Sequence, residues 1–178
     1  MRRSVIGLVL TVFLCVSVMA GAQSAEEWYE KGRQAFNDGF GDRGHTEMAV
    51  VYFTRAIELD PEISWAYNLR GRAYCKLERL DEAVADMAKA IELNPEEASF
   101  YVSRSIVYSN LGQFDEGIAD ITKAIELEPE NTDFYITRAF TYRDHGDREN
   151  AIADLKTACD MGTEEACVSL DALENQRE

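Results

Sequence analysis

Only a few side chains in the sequence have the chemistry for catalysis or for metal binding. The 178 residues include two histidines, His45 and His145, and four cysteines. Asp144 precedes His145, but neighbours in sequence are not thereby hydrogen-bonded, and no nucleophile motif accompanies them. The cysteines and histidines lack the paired spacing of a zinc site, and a glycine-rich phosphate loop is missing. We therefore predict no catalytic residue, no metal and no cofactor, and expect that the protein is not an enzyme.

Arginine and aspartate each recur at a spacing of 34 residues. The arginines are Arg70, Arg104 and Arg138, and the aspartates are Asp86, Asp120 and Asp154. A row of arginines could bind an anion, whereas each arginine could instead pair with one aspartate across two helices. We predict the ion pair, because every arginine has its own aspartate within the same period of 34 residues.

The composition is that of a folded and strongly acidic protein. The chain is 46% hydrophobic and 29% charged, with a formal net charge of −15. Residues 1–22 contain two arginines and no acid, so the remainder has 16 Lys and Arg against 33 Asp and Glu, a net charge of −17. Nucleic acids and anionic lipids would be repelled by this charge, and we expect neither as a partner.

Residues 1–22 are typical of a signal peptide. Arg2 and Arg3 precede an uncharged apolar run from Val5 to Ala20, and small residues follow at 20–22. We expect cleavage before Gln23 and a periplasmic or secreted mature protein. The alternative is an uncleaved N-terminal membrane anchor, because the run is near the lower limit of about 17 residues for spanning a bilayer. No other segment predicts a membrane span.

A repeat of 34 residues is the strongest pattern in the sequence. The motif leucine, acid or amide, proline occurs three times, as Leu59-Asp60-Pro61, Leu93-Asn94-Pro95 and Leu127-Glu128-Pro129. In each copy, alanine, isoleucine and glutamate come directly before the leucine of this motif. Periods of 20 to 50 residues indicate a stack of similar supersecondary units.

These positions closely resemble the tetratricopeptide repeat family. The family pattern has aromatic residues at repeat positions 4 and 11 and small residues at positions 8, 20 and 27. The second repeat has Tyr67, Tyr74, Gly71, Ala83 and Ala90 at these positions. The resemblance implies an all-α fold, a right-handed superhelical solenoid of about four helical hairpins within residues 23–163. The repeats are assigned to residues 25–63, 64–97, 98–131 and 132–165, and residues 164–178 to a capping helix and tail.

The first and last repeats depart from the family pattern. Five residues are inserted in repeat 1, within residues 37–45, and we interpret this segment as an extended glycine-rich loop. In repeat 4 the leucine and proline are replaced, and Cys159 and Cys167 lie on either side of the final turn. The spacing resembles a cysteine-rich class of secreted bacterial helical repeats, and this resemblance implies a disulfide between the two. Two reduced cysteines in the core are the alternative.

The resemblance also implies which residues bind a partner. In this family the first helix of each repeat lines a concave groove that binds a peptide or a helix. The residues carried over are Tyr29, Arg33, Trp65, Asn68, Arg72, Lys76, Ser103, Ile106, Asn110, Ile136, Phe140 and Arg143. The wider set of inward positions has four basic residues against three acidic ones, whereas the mature chain is twofold richer in acids. Aromatic residues would supply apolar pockets, and asparagines would donate to peptide carbonyls.

The predicted function is therefore a non-catalytic interaction scaffold that binds a protein or peptide, not a small-molecule substrate. The carboxylate clamp of cochaperone tetratricopeptide domains is not expected, because the residues at its positions do not match in either frame. The alternative is a structural subunit or a self-associating assembly factor of a cell-envelope complex, which would use the convex face.

Overall fold

The protein is described by a computed structural model that covers residues 23–38 and 42–175. Every regular element in these two ranges is an α-helix, and none is long and apolar enough to cross a membrane. The helices are α1 Ala25–Asp38, α2 Arg43–Leu59, α3 Ser64–Lys76, α4 Leu80–Leu93, α5 Ala98–Asn110, α6 Phe114–Leu127, α7 Thr132–His145, α8 Arg148–Asp160 and α9 Glu164–Asn175. The all-α solenoid predicted from the sequence is confirmed.

The helices pack in consecutive hairpins. Helix α1 packs on α2, α3 on α4, α5 on α6 and α7 on α8, and each second helix also contacts the first helix of the next hairpin. Small residues allow the close approach within a hairpin, since a Cβ atom at Gly71 would lie 3.1 Å from the carbonyl oxygen of Ala83. The small residues of the repeat pattern therefore set the short distance between paired helices.

Tyrosine side chains connect the third and fourth hairpins to the turn that precedes each of them. The hydroxyl of Tyr101 donates to the carbonyl oxygen of Pro95, and that of Tyr135 donates to Pro129, each at 3.1 Å. Proline cannot continue the preceding helix, so α4 and α6 end before it and leave that carbonyl available. The recurring tyrosine and proline thus fix the position of one hairpin on the next.

The core follows the axis of the solenoid and lies between neighbouring hairpins. Phe53, Met87, Phe100 and Ile121 are fully buried, and each comes from a different helix. A single hairpin cannot bury such residues by itself, so the stack is stabilised by contacts between neighbours.

The turns inside the second, third and fourth hairpins each contain a left-handed backbone residue. Gly112 and Gly146 provide it in the third and fourth repeats, with φ of 74° and 88°. In the second repeat the same place is occupied by Glu78, with φ of 62°. A side chain at positive φ costs free energy that glycine avoids, so this turn is less favourable than its counterparts.

The extended loop expected over residues 37–45 of repeat 1 is helical at both of its ends, and residues 39–41 lie outside the described residues. Asn37 and Asp38 belong to α1, and α2 already begins at Arg43. The Asp42 side chain caps α2 by accepting a hydrogen bond from the backbone N–H of Gly44 at 2.9 Å. The insertion therefore lengthens α2 to 17 residues, three more than α4 or α6.

Helix α9 closes the C-terminal end of the stack. Ala166 and Leu173 are buried against α8, and the guanidinium of Arg148 donates to the carbonyl oxygen of Leu173. Cys159 and Cys167 form a disulfide across the turn between the two helices, with Cα atoms 4.8 Å apart. The capping helix is thus held by apolar packing and by a covalent bond.

Candidate partner-binding groove

A concave groove lies on the side of the solenoid formed by the first helix of each hairpin. Its central section has a volume of about 400 Å³ and is lined mainly by α3 and α5, with Phe36 from α1 and Phe134 from α7. Ile106 is 47% exposed in its wall, next to Val102. An exposed apolar wall of this kind is suited to the side chains of a bound segment.

Two cations stand at one side of the groove, above an aromatic ring. The Nζ atom of Lys76 is 4.0 Å from the centroid of the Phe36 ring, and Cζ of Arg72 is 5.5 Å from it. Burial and the positive charge of Arg72 lower the pKa of Lys76. Within residues 23–38 and 42–175, Arg72 has no carboxylate at ion-pair distance. The guanidinium of Arg72 is therefore an unbalanced positive charge in the groove, although the whole chain is acidic.

Polar groups lie along the same section of the groove. Asn110 Nδ2 is 3.6 Å from the sulfur of Cys75, the free and half-buried thiol of the groove lining. The hydroxyl of Ser99 donates to the Glu97 carboxylate at 2.7 Å, and Ser103 lies one helical turn further on. Amide and hydroxyl groups beside an apolar wall can bind the backbone of an extended chain.

Asn68 and Ile136 are less accessible than a role in the groove requires. Asn68 is 1% exposed, and its Oδ1 atom has no hydrogen-bond partner among the described residues. Ile136 is 7% exposed and belongs to the core cluster of the last repeat. Both residues lie on the inner side of their helices, but neighbouring helices cover them. The family position alone could not predict this burial.

The N-terminal candidates do not line the central section. Tyr29 packs against Phe53 with ring centroids 6.0 Å apart, and burial is the main reason why its pKa is raised. Arg33 pairs with Glu30 of its own helix at 2.8 Å and lines an open depression formed by residues within 23–37. The structure therefore separates these two residues from the Arg72 region.

The remaining candidates lie at the edges of the groove. Trp65 is 38% exposed and contacts Phe100 edge to face, with centroids 4.8 Å apart. Phe140 and Arg143 line a separate depression of about 140 Å³ formed with α9. Arg143 pairs with Asp144 at 2.9 Å, so its charge is balanced locally, unlike that of Arg72.

Sequence reasoning did not identify every residue of the groove lining. Met87, Val107 and Phe134 contribute to the central section although none occupies an inward position of the family pattern. Met87 comes from a second helix and Phe134 from the following repeat. Their apolar character and helical spacing were visible in the sequence, but only the stacking of hairpins brings them to this surface.

The repeated arginines form the ion pairs predicted from the sequence. Each guanidinium donates two hydrogen bonds of 2.7–2.8 Å to one aspartate, in the pairs Arg70–Asp86, Arg104–Asp120 and Arg138–Asp154. The side chains of these pairs are at most 19% exposed. Arg70 and Arg138 each donate a further hydrogen bond of 3.0 Å, to the hydroxyls of Thr54 and Thr122. Because these side chains hold the guanidinium groups within the protein, the arginines are structural and do not form a row for binding an anion.

No group of three or more His, Cys, Asp or Glu residues in the described part of the chain is arranged to hold a metal ion. Among curated proteins, none matches this sequence. Sequence models described as tetratricopeptide repeat match residues 41–63, 64–97 and 98–131, which is just over half of the chain. The chain belongs to the tetratricopeptide repeat family.

Solved structures share the same fold. A structure of MamA has a TM-score of 0.73 at 23% identity, covering 84% of this chain and 85% of MamA. MamA from Desulfovibrio magneticus RS-1 has a TM-score of 0.70 at 21% identity, covering 78% and 75%. The thermophilic tetratricopeptide protein TTC0263 from Thermus thermophilus has a TM-score of 0.71 at 21% identity, covering 88% and 84%. These similarities show the fold alone, a stack of helical hairpins, and do not by themselves assign a role.

Proposed function

We propose that this protein is a non-catalytic scaffold whose central groove binds an extended segment of a partner protein. The observation that carries the proposal is the position of Arg72, with Lys76 on the same ring, beside the exposed apolar wall at Ile106. A matching segment has an apolar side chain next to a carboxylate. The apolar side chain would contact the wall, and the carboxylate would bind the guanidinium of Arg72.

The preference for an acidic partner follows from the electrostatics of the site. Burial and the charge of Arg72 lower the pKa of Lys76, so the two cations destabilise one another in the free protein. A carboxylate bound between them would relieve this repulsion. The remaining surface of the chain is acidic and would repel the same segment elsewhere. Charge therefore favours binding in the groove over binding on the convex face.

The first test is affinity capture of partners from cell extract with the wild-type protein and with the Arg72→Glu, Lys76→Glu double variant. A protein retained by the wild type should be lost with the variant, and its isolated segment should bind at least about 100-fold more weakly. The matched control is the Lys89→Glu, Lys123→Glu variant, which has the same change in net charge on exposed residues outside the groove.

Two results would contradict the groove assignment. A partner retained equally by the wild type and by the groove variant must bind elsewhere. A partner lost equally with the groove variant and the control responds to net charge and not to this site. Circular dichroism of each variant shows whether it has folded before its binding is compared.

We also propose that the protein works in the periplasm or outside the cell. Residues 1–22, which carry the predicted signal peptide, lie outside the described residues. The disulfide between Cys159 and Cys167 supports the proposal, because such bonds persist in oxidising compartments. Cell fractionation and intact-mass measurement should find the protein outside the cytoplasm, with Gln23 as its first residue. A cytoplasmic protein that retains residue 1 would refute this location.

A further inference from the structure

The outer face of α2 differs from that of the other second helices. Met48 and Val51 are 47% and 63% exposed there. At the position of Met48 the next three repeats have Glu82, Glu116 and Asn150, and at the position of Val51 they have Ala85, Ala119 and Ala153. Among the four repeats, only repeat 1 therefore has exposed apolar side chains at these two positions where the others have polar residues and alanine. The repeat pattern does not require them, since its other copies fold without them.

The charges around this apolar pair are balanced and lie symmetrically. Glu47 is four residues before Val51 and Arg55 is four residues after it, and both are more than half exposed. The Arg43–Glu47 and Glu58–Arg55 ion pairs on the same helix contain two positive and two negative charges. The same outward positions on α6 carry three acids, Asp115, Glu116 and Glu126, against the single cation Lys123. Two copies of this acidic protein would therefore repel one another less at α2 than at α6.

We propose that the outer face of α2 binds a second copy of the chain through antiparallel packing of α2 on α2. A two-fold axis at Val51 places the two Val51 side chains together and covers both Met48 side chains. The same symmetry places Glu47 of each copy opposite Arg55 of the other, so that the charge pairs are complementary in both directions. A parallel arrangement would instead place Glu47 opposite Glu47 and Arg55 opposite Arg55.

The expected dimer is weak. Helix α2 has 17 residues and is about 25 Å long, so one helix pair buries less surface than a standard interface of about 1,600 Å². We therefore expect a dissociation constant in the micromolar range or above. No described residue of α2 lines the central section of the groove, so both grooves would remain accessible in the dimer. The dimer would present two binding sites to one partner assembly.

Sedimentation velocity of the purified protein over a wide concentration range tests the proposal. The wild type should convert reversibly from monomer to dimer as its concentration rises, and Val51→Glu should weaken this association at least about tenfold. The matched control is Ala119→Glu, which adds the same charge at the same register position of α6, and it should leave the dissociation constant unchanged. Thermal unfolding shows that each variant retains its fold.

A charge exchange tests the antiparallel register. Glu47→Arg alone should weaken the dimer several-fold, because it faces Arg55 of the other copy, and the Glu47→Arg, Arg55→Glu double variant should restore it. A wild type that stays monomeric at its solubility limit overturns the proposal, as does a dimer that Val51→Glu leaves intact or that Ala119→Glu weakens equally. Groove binding should be unaffected by Val51→Glu, so the two proposals fail or succeed separately.

Discussion

Single residues show that the repeat pattern predicts some side-chain contacts and does not predict others. The pairing of Arg70 with Asp86 could be predicted, because both residues recur with the period of the hairpin and oppositely charged side chains satisfy one another when half-buried. The burial of Asn68 could not be predicted. Its counterparts in the next repeats are Val102 and Ile136, so the position is polar in the second repeat and apolar in the two that follow.

Glu78 provides a prediction about stability at the scale of one residue. Glu78→Gly should raise the free energy of unfolding by about 0.5–1 kcal/mol, because it relieves a side chain from positive φ at the cost of some backbone entropy. The reciprocal change Gly112→Glu should lower it by a similar amount. A Cβ atom at Gly112 would meet no atom within 4 Å, so the loss of stability would come from the positive φ and not from a steric clash. Urea denaturation of both variants measures the effect, and a destabilised Glu78→Gly protein would contradict it.

Single helices show how far a local pattern predicts an element. The C-terminal ends of α4 and α6 follow from the proline that comes after each helix, since proline cannot extend a helix. The start of α2 is different, because the glycine-rich sequence before it favours a loop. The hydrogen bond from Gly44 to Asp42 nevertheless caps the helix, and α2 extends into the inserted segment. A single capping side chain outweighed the composition of the segment.

The disulfide provides a prediction at the scale of one helix. Replacing both Cys159 and Cys167 by Ser should lower the free energy of unfolding by about 2.5 kcal/mol, since the bond closes a loop of eight-residue separation. Hydrogen exchange should increase most in α9, because this helix packs only on the last hairpin. Cys75→Ser is the control and should have a smaller effect, since that thiol is not bonded to another cysteine. Unchanged exchange in α9 would show that apolar packing alone holds the helix.

The whole molecule combines two surfaces with different properties. The concave groove carries the unbalanced charge of Arg72 beside an apolar wall, whereas the outer face of α2 is balanced in charge and apolar. A peptide that carries a carboxylate matches the first surface, and an identical copy of α2 matches the second. No described residue of α2 lines the groove, so a partner and a second copy would bind at separate places.

The sequence by itself determined the helical class, the four hairpins, the three Arg–Asp pairs and the capping helix. The hairpins and the Arg–Asp pairs depend on contacts that repeat every 34 residues, so a periodic pattern carries the information about them. The capping helix was instead indicated by the departure from this pattern at residues 161–163. Only the tertiary structure decided that Asn68 and Ile136 are buried, that Arg33 is separate from Arg72, and that Met87 and Phe134 complete the groove. These properties depend on how one hairpin covers the next. The packing of one hairpin on the next is set by the sizes of neighbouring side chains and by their distances. No single repeat contains both side chains of such a contact.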